Sequence, residues 1–306
     1  MFLFSMIKLI PSIESWFIPF DILMILFSIM VILFSIVLLF IIILDKRCHT
    51  ISLILVANSY VCLLFSACAL FSMSIFTLEN DLKQIEYQDS FCIFRAYWSY
   101  AISAALNDSF LIQALYRYVT VFYSTRLFWQ SIRFQLLIIC LTWLISFIYP
   151  IVFIFDNEIL YNIDNQICQL PIRPSFSIFY TSFCIYIIPI TIIMLIYFKL
   201  FRFVHRINSH VTSVNILFRA RRELKMVEHI IILITILLIT GFPYEFFILL
   251  SFFTTPPKYH FRIAFIFIDV SIILITITLF YFTDLLKVSL RKRIKRRPRR
   301  IVPAII

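Results

Sequence analysis

Arg117 stands between Tyr116 and Tyr118 near the end of a mostly apolar stretch that runs from Cys92 to Tyr123. A guanidinium in such a setting must reach the water interface or find an acid. Asp108, Glu245 and Asp269 are further ionisable groups within apolar runs, with Glu223 near the start of one. Scattered singly, such groups suit ion pairing and ligand binding rather than bond-making. No His-Glu-x-x-His, no Gly-x-Ser-x-Gly and no paired intramembrane aspartate motif occurs, so no catalytic residue is assigned. The seven cysteines include no Cys-x-x-Cys and no Cys/His spacing suited to zinc, so no metal and no cofactor is expected. A single glycine, Gly241, rules out a phosphate-cradling loop or a dinucleotide fingerprint.

The elements that must position these groups are membrane spans. The 306 residues are 62% hydrophobic with a mean hydropathy of +1.00, which water-soluble domains do not approach. The apolar runs predict spans near 17–44, 51–77, 92–123, 132–155, 174–205, 221–253 and 261–284. The expected fold is therefore all-α: a polytopic, seven-transmembrane helix bundle with a short, basic, amphipathic C-terminal segment. Residues 1–16 form an extracellular N-terminus, 17–284 the transmembrane domain and 285–306 a cytoplasmic basic tail. Most of the 27 Lys and Arg residues fall on segments that this topology places inside, as the positive-inside rule requires. The net charge of +11 thus reflects the bilayer, with no nucleic-acid partner, and the tail faces an anionic leaflet. Acidic residues Glu79, Asp81, Glu86 and Asp89 fall in the first outer loop, and Cys92 and Cys168 are the two cysteines expected at the outer surface.

In the 92–123 stretch, Ala101, Ala104, Ala105 and Ala114 interleave with Ser99, Ser103, Asn107 and Ser109. Small residues let neighbouring helices approach, and Ser and Asn bond across the gap, so this helix should pack on many sides. Asp108 is either functional or bonded to a neighbouring helix. The Asn107-Asp108-Ser109 sequon lies within the span and is inert as a glycosylation site.

This layout resembles the rhodopsin-like (class A) G-protein-coupled receptor family over nearly the whole chain. Cys92 and Cys168 match the family's disulfide pair, Tyr116-Arg117-Tyr118 its Asp-Arg-Tyr motif, and Trp143 its helix-four tryptophan. Pro189 with Tyr197 matches the helix-five pair, Pro243 the helix-six proline, and Glu223 the acid that locks the helix-three arginine. The resemblance implies a receptor, not an enzyme, with an extracellular ligand, a heterotrimeric G protein and the lipid bilayer as partners, at the plasma membrane. It implies a Cys92–Cys168 bond closing a loop of roughly 75 residues, worth about 4–5 kcal/mol in the chain-entropy model. It also implies that Arg117, with Tyr116, Tyr118, Glu223, Tyr197, Pro189, Gly241 and Pro243, forms the activation switch. The chain departs from the family in places. Ser35 stands for the helix-one asparagine, and Ser59 or Tyr60 for the helix-two aspartate. Thr240-Gly241-Phe242-Pro243 replaces Cys-Trp-x-Pro, so the tryptophan switch is missing, and Asn-Pro-x-x-Tyr gives way to Leu279-Phe280-Tyr281-Phe282-Thr283.

Ser99, Tyr100, Ser103, Tyr244, Glu245 and Asp269 fall in the outer halves of helices three, six and seven and are the expected ligand pocket. Glu245 and Asp269, with the acidic loops, favour a cationic ligand, a peptide among them. Ser99 stands where aminergic relatives carry an aspartate, which disfavours a monoamine. A non-signalling or decoy seven-helix protein and a transporter are the rival readings. A retinal protein would need a lysine inside helix seven, and Lys258 and Lys287 flank it instead.

Overall fold

Helix α1 (Ile18–Leu44) starts with Pro19 in its first turn, where the missing N–H costs nothing. A computed structural model describes residues 8–9, 17–83, 85–86, 88–123, 127–210, 232–233, 235–239 and 241–295. Glu223 lies outside them, as do Thr240 and residues 296–306 of the tail.

The chain continues through α2 (Ile51–Lys83), α3 (Cys92–Phe122), α4 (Ile132–Ile148) and the short α5 (Ile151–Phe155). Next come α6 (Phe176–Ser182), a π-turn (Phe183–Ile187) and α7 (Ile188–His210), which together form one continuous span. Helix α8 covers 235–239 and 241–250 among the described residues, followed by α9 (His260–Phe282) and α10 (Asp284–Lys295). Among the described residues, five helical segments are long and apolar enough to cross a membrane: α1, α2, α4 with α5, α6 with α7, and α9. Helix α3 is long enough, at 31 residues, but carries more polar groups. It buries Ala96, Ala101, Ala104, Ala105 and Ala114 against its neighbours, as a helix surrounded by others should.

Helix α2 outruns its expected end at residue 77. At 33 residues it measures about 50 Å, against a hydrocarbon core of about 30 Å. Glu79 and Asp81 therefore belong to the helix and not to a loop. Glu79 pairs with Lys83 one turn on, while Asp81 is buried.

Two antiparallel strand pairs lie near the α3 N-terminus. β1 (Lys8–Leu9) pairs with β2 (Ile85–Glu86), and β3 (Leu160–Asn162) with β4 (Ile167–Gln169), with Tyr161 opposite Cys168. With glycine almost absent, Asn157 and Gln166 take the left-handed conformation, at φ 52° and 56°. Ser131 and Ser175 cap α4 and α6 by accepting from the N–H groups of Phe134 and Ile178. The chain between α4 and α5 turns at Tyr149 and Pro150, where the missing proline N–H interrupts the helix.

Candidate functional site

Cys92 opens α3 and is bonded to Cys168 in β4, with Cα atoms 5.4 Å apart. The hairpin is held by further bonds. Leu170 N–H, just after β4, donates to Tyr100 Oη of α3 at 3.2 Å, and Tyr100 is itself tied to the α4–α5 turn, where Tyr149 Oη donates to Tyr100 O at 2.9 Å. On the other side, Asn165 Oδ1 accepts from the N–H groups of Phe261 and Arg262, both at 3.1 Å. The hairpin is thus strapped to α3 and to α9, and its Gln169 lines a cavity beneath.

That cavity has a volume of about 170 Å³. Ser99, Tyr100 and Ser103 of α3 line it, with Tyr244 and Glu245 of α8 opposite. Apolar walls come from α2 and α9, including Leu70, Phe265 and Ile272. Glu245 is the one charged side chain in the lining among the described residues. Gln169 Nε2 and Thr181 Oγ1 are buried polar ends in the lining with no hydrogen-bond partner among the described residues. An apolar chamber with few convergent polar groups is the form small-molecule sites take.

Asp269 does not join this lining, which corrects its expected place. It is 1% exposed and turned toward α1, where Ser28 Oγ donates to its Oδ1 at 3.2 Å. Its position along α9 is close to the cavity, but its face is not, and helical phase rather than depth decides the matter.

Sequence reasoning missed the Arg262 cluster. Asp81 falls in the expected first outer loop and Arg262 at the outer edge of the last expected span, yet they are 3% and 7% exposed. Arg262 Nη1 and Nη2 donate to Asp81 Oδ2 and Oδ1 at 2.5 and 2.9 Å, with Asp21 Oδ2 3.8 Å from Nη1. The Arg262 guanidinium also lies over the Phe17 ring, 4.8 Å from its centroid. The signal available in sequence was the four-residue spacing of Thr77 and Asp81 on a helix that continues past the membrane boundary.

At mid-bundle, polar side chains tie the helices together. Trp143 Nε1 donates to Asn58 Oδ1 at 2.8 Å, joining α4 to α2. Gln113 Nε2 donates to Ser59 Oγ at 2.7 Å, and Ser59 and Ser109 hydroxyls lie 2.8 Å apart. Asp108 accepts from Ser146 Oγ at 3.4 Å, an interhelix bond between α3 and α4. Pro189 cannot donate the helical bond to Ile185 O, and Asn107 Nδ2 of α3 donates to that carbonyl at 2.9 Å.

At the end of the bundle away from the disulfide, Arg117 is partly buried, and the Tyr197 hydroxyl of α7 lies within electrostatic reach of it. Tyr118 packs at a tilt against Phe122 with centroids 4.7 Å apart, and Tyr116 O accepts from Thr120 Oγ1 at 3.0 Å. Pro243 and Gly241 sit in α8, and Gly241 lines the cavity.

The family described as 7 transmembrane receptor (rhodopsin family) matches residues 35–283. The chain belongs to this family. Among curated proteins, none matches it. As a rhodopsin-family receptor it is a multi-pass membrane protein built on a seven-helix bundle, with the Cys92–Cys168 disulfide in place. The receptor's cavity lies between α2, α3, α6, α8 and α9, beneath the strapped hairpin.

Proposed function

We propose that the receptor binds an extracellular cationic ligand, a small amine or a basic group of a peptide, and transmits that binding to a heterotrimeric G protein. The observation that carries the ligand class is the charge of the cavity. Glu245 is its one charged side chain among the described residues, so an anionic ligand would meet a carboxylate with no compensating cation. Ser99 leaves the α3 wall neutral, so the ligand's charge is read from α8 and not from α3.

In this reading the disulfide end faces outward at the plasma membrane, residues 1–16 are extracellular and residues 285–306 are a cytoplasmic tail. Most of the Lys and Arg residues fall on sequence segments that this orientation puts inside, in keeping with the positive-inside rule. Arg117, backed by Tyr197, is the switch residue, and Glu223 is its locking partner in the resting state. Ligand binding shifts the population toward the state in which Arg117 and Glu223 have parted, opening a cleft for the G protein.

The test is a G-protein biosensor screen in cells with small primary amines, short basic peptides and matched carboxylates. Amines or basic peptides activate the wild type, and Glu245→Gln weakens their potency tenfold or more. Activation by carboxylates alone, or a Glu245→Gln response equal to wild type, contradicts the cationic assignment.

A further inference from the structure

The chain's single glycine lies against a tyrosine. A methyl group at Gly241 would stand 2.8 Å from Tyr186 Oη, 3.0 Å from Cε2 and 3.1 Å from Cζ. The ring therefore occupies the space a side chain at 241 would fill. Its hydroxyl donates to Leu237 O at 2.8 Å, one turn before Gly241 on α8. Two residues beyond Gly241 comes Pro243, which has no N–H for the carbonyl four residues back. Helix α8 thus holds its two least helix-favouring residues within three positions, and Tyr186 bridges from outside at that place.

Tyr186 itself is held in an unusual setting. It lies on the π-turn Phe183–Ile187, where one extra residue is taken up in the helix. The carbonyl of the preceding residue, Ile185, is fixed from α3 by Asn107. The tyrosine thus projects from a segment anchored on one side and clamps α8 on the other. Tyr186 also lines the cavity and lies within electrostatic reach of Glu245. An occupant that brings a positive charge to Glu245 arrives beside this ring.

We propose that Tyr186 is the positioning residue through which the cavity's occupant sets the bend of α8 at Gly241–Pro243. In the resting receptor the ring rests on Gly241 and its hydroxyl holds Leu237 O. An occupant at Glu245 displaces the ring, the bond to Leu237 O is lost, and α8 is free to bend. This rests on the receptor reading above and adds the residue that links ligand to helix motion.

Hydrogen–deuterium exchange on the full chain in lipid nanodiscs tests it, read over residues 235–250 for wild type, Tyr186→Phe, Gly241→Ala and the double variant. Tyr186→Phe keeps the ring and removes only the hydroxyl, so folding is preserved. Losing one such bond speeds exchange by about 2- to 10-fold. Gly241→Ala pushes the ring away but puts a better helix former at 241, so its rise is smaller than that of Tyr186→Phe, and the double variant exchanges no faster than Tyr186→Phe. Unchanged exchange in both single variants overturns the proposal. So does faster exchange in Tyr186→Phe with no change in a basal signal that Arg117→Ala abolishes, because Tyr186 is then only packing. Failure of the receptor reading appears separately, as a wild type with no basal signal for Arg117→Ala to remove, and exchange still decides whether Tyr186 controls α8.

Discussion

Arg262 on α9 grips both carboxylate oxygens of Asp81 on α2, at 2.5 and 2.9 Å, with almost no exposure of either residue. Two charges buried this deeply are stable only together. Removing either one strands its partner. Arg262→Ala or Asp81→Ala should therefore destabilise the receptor by about 3–5 kcal/mol. Melting of the purified receptor checks this. Because Asn165 accepts from the backbone of Arg262 and not only from its side chain, part of the hairpin strap survives in the Arg262 variant.

Breaking the disulfide should cost the receptor about 4–5 kcal/mol, since its partners lie 76 residues apart. Cys92→Ser and Cys168→Ser should each lower the melting temperature, and the double variant should lower it no further than the worse single one. Additive losses would show that each cysteine contributes something other than the shared bond.

Asn107→Leu should destabilise by about 1–3 kcal/mol, because Ile185 O then loses the side-chain donor that Asn107 supplies where Pro189 has no N–H. Chemical denaturation of the detergent-solubilised receptor reads this. Asn107→Asp offers no reliable donor to the carbonyl and should fail to restore stability.

Asp269→Asn and Glu245→Gln separate the two acids first grouped in one pocket. Asp269 is occupied with Ser28 on the α1 side, so Asp269→Asn leaves amine potency within a few fold of wild type. Glu245→Gln, at the cavity wall, reduces it tenfold or more. Dose–response curves for one activating amine on both variants make the comparison.

The span pattern was legible because lipid demands long apolar runs, and α1, α4 and α9 begin within a residue or so of their expected starts. The disulfide partners followed from the family resemblance, and Ser99, Tyr100, Ser103, Tyr244 and Glu245 do meet at one cavity. Three things were not legible. The end of α2 was hidden because Glu79 and Asp81 read as loop, whereas Asp81 has its charge met by a residue 181 positions away. Asp269 was misplaced because depth along a span does not give the face it presents. The missing tryptophan beside Pro243 was visible as an absence, but only the structure shows the Tyr186 ring lying against Gly241. A π-turn, which shifts the register of every later side chain on α7, leaves no periodic mark in so uniformly apolar a segment.

The central claim is that this chain is a working, G-protein-coupled member of its family, with Arg117 as the switch. Basal activation by a panel of G-protein biosensors, at matched surface expression, tests it for wild type, Arg117→Ala and Glu223→Ala. Wild type should show a basal signal that Glu223→Ala raises and Arg117→Ala removes. Silence in all three, or a signal untouched by Arg117→Ala, contradicts it.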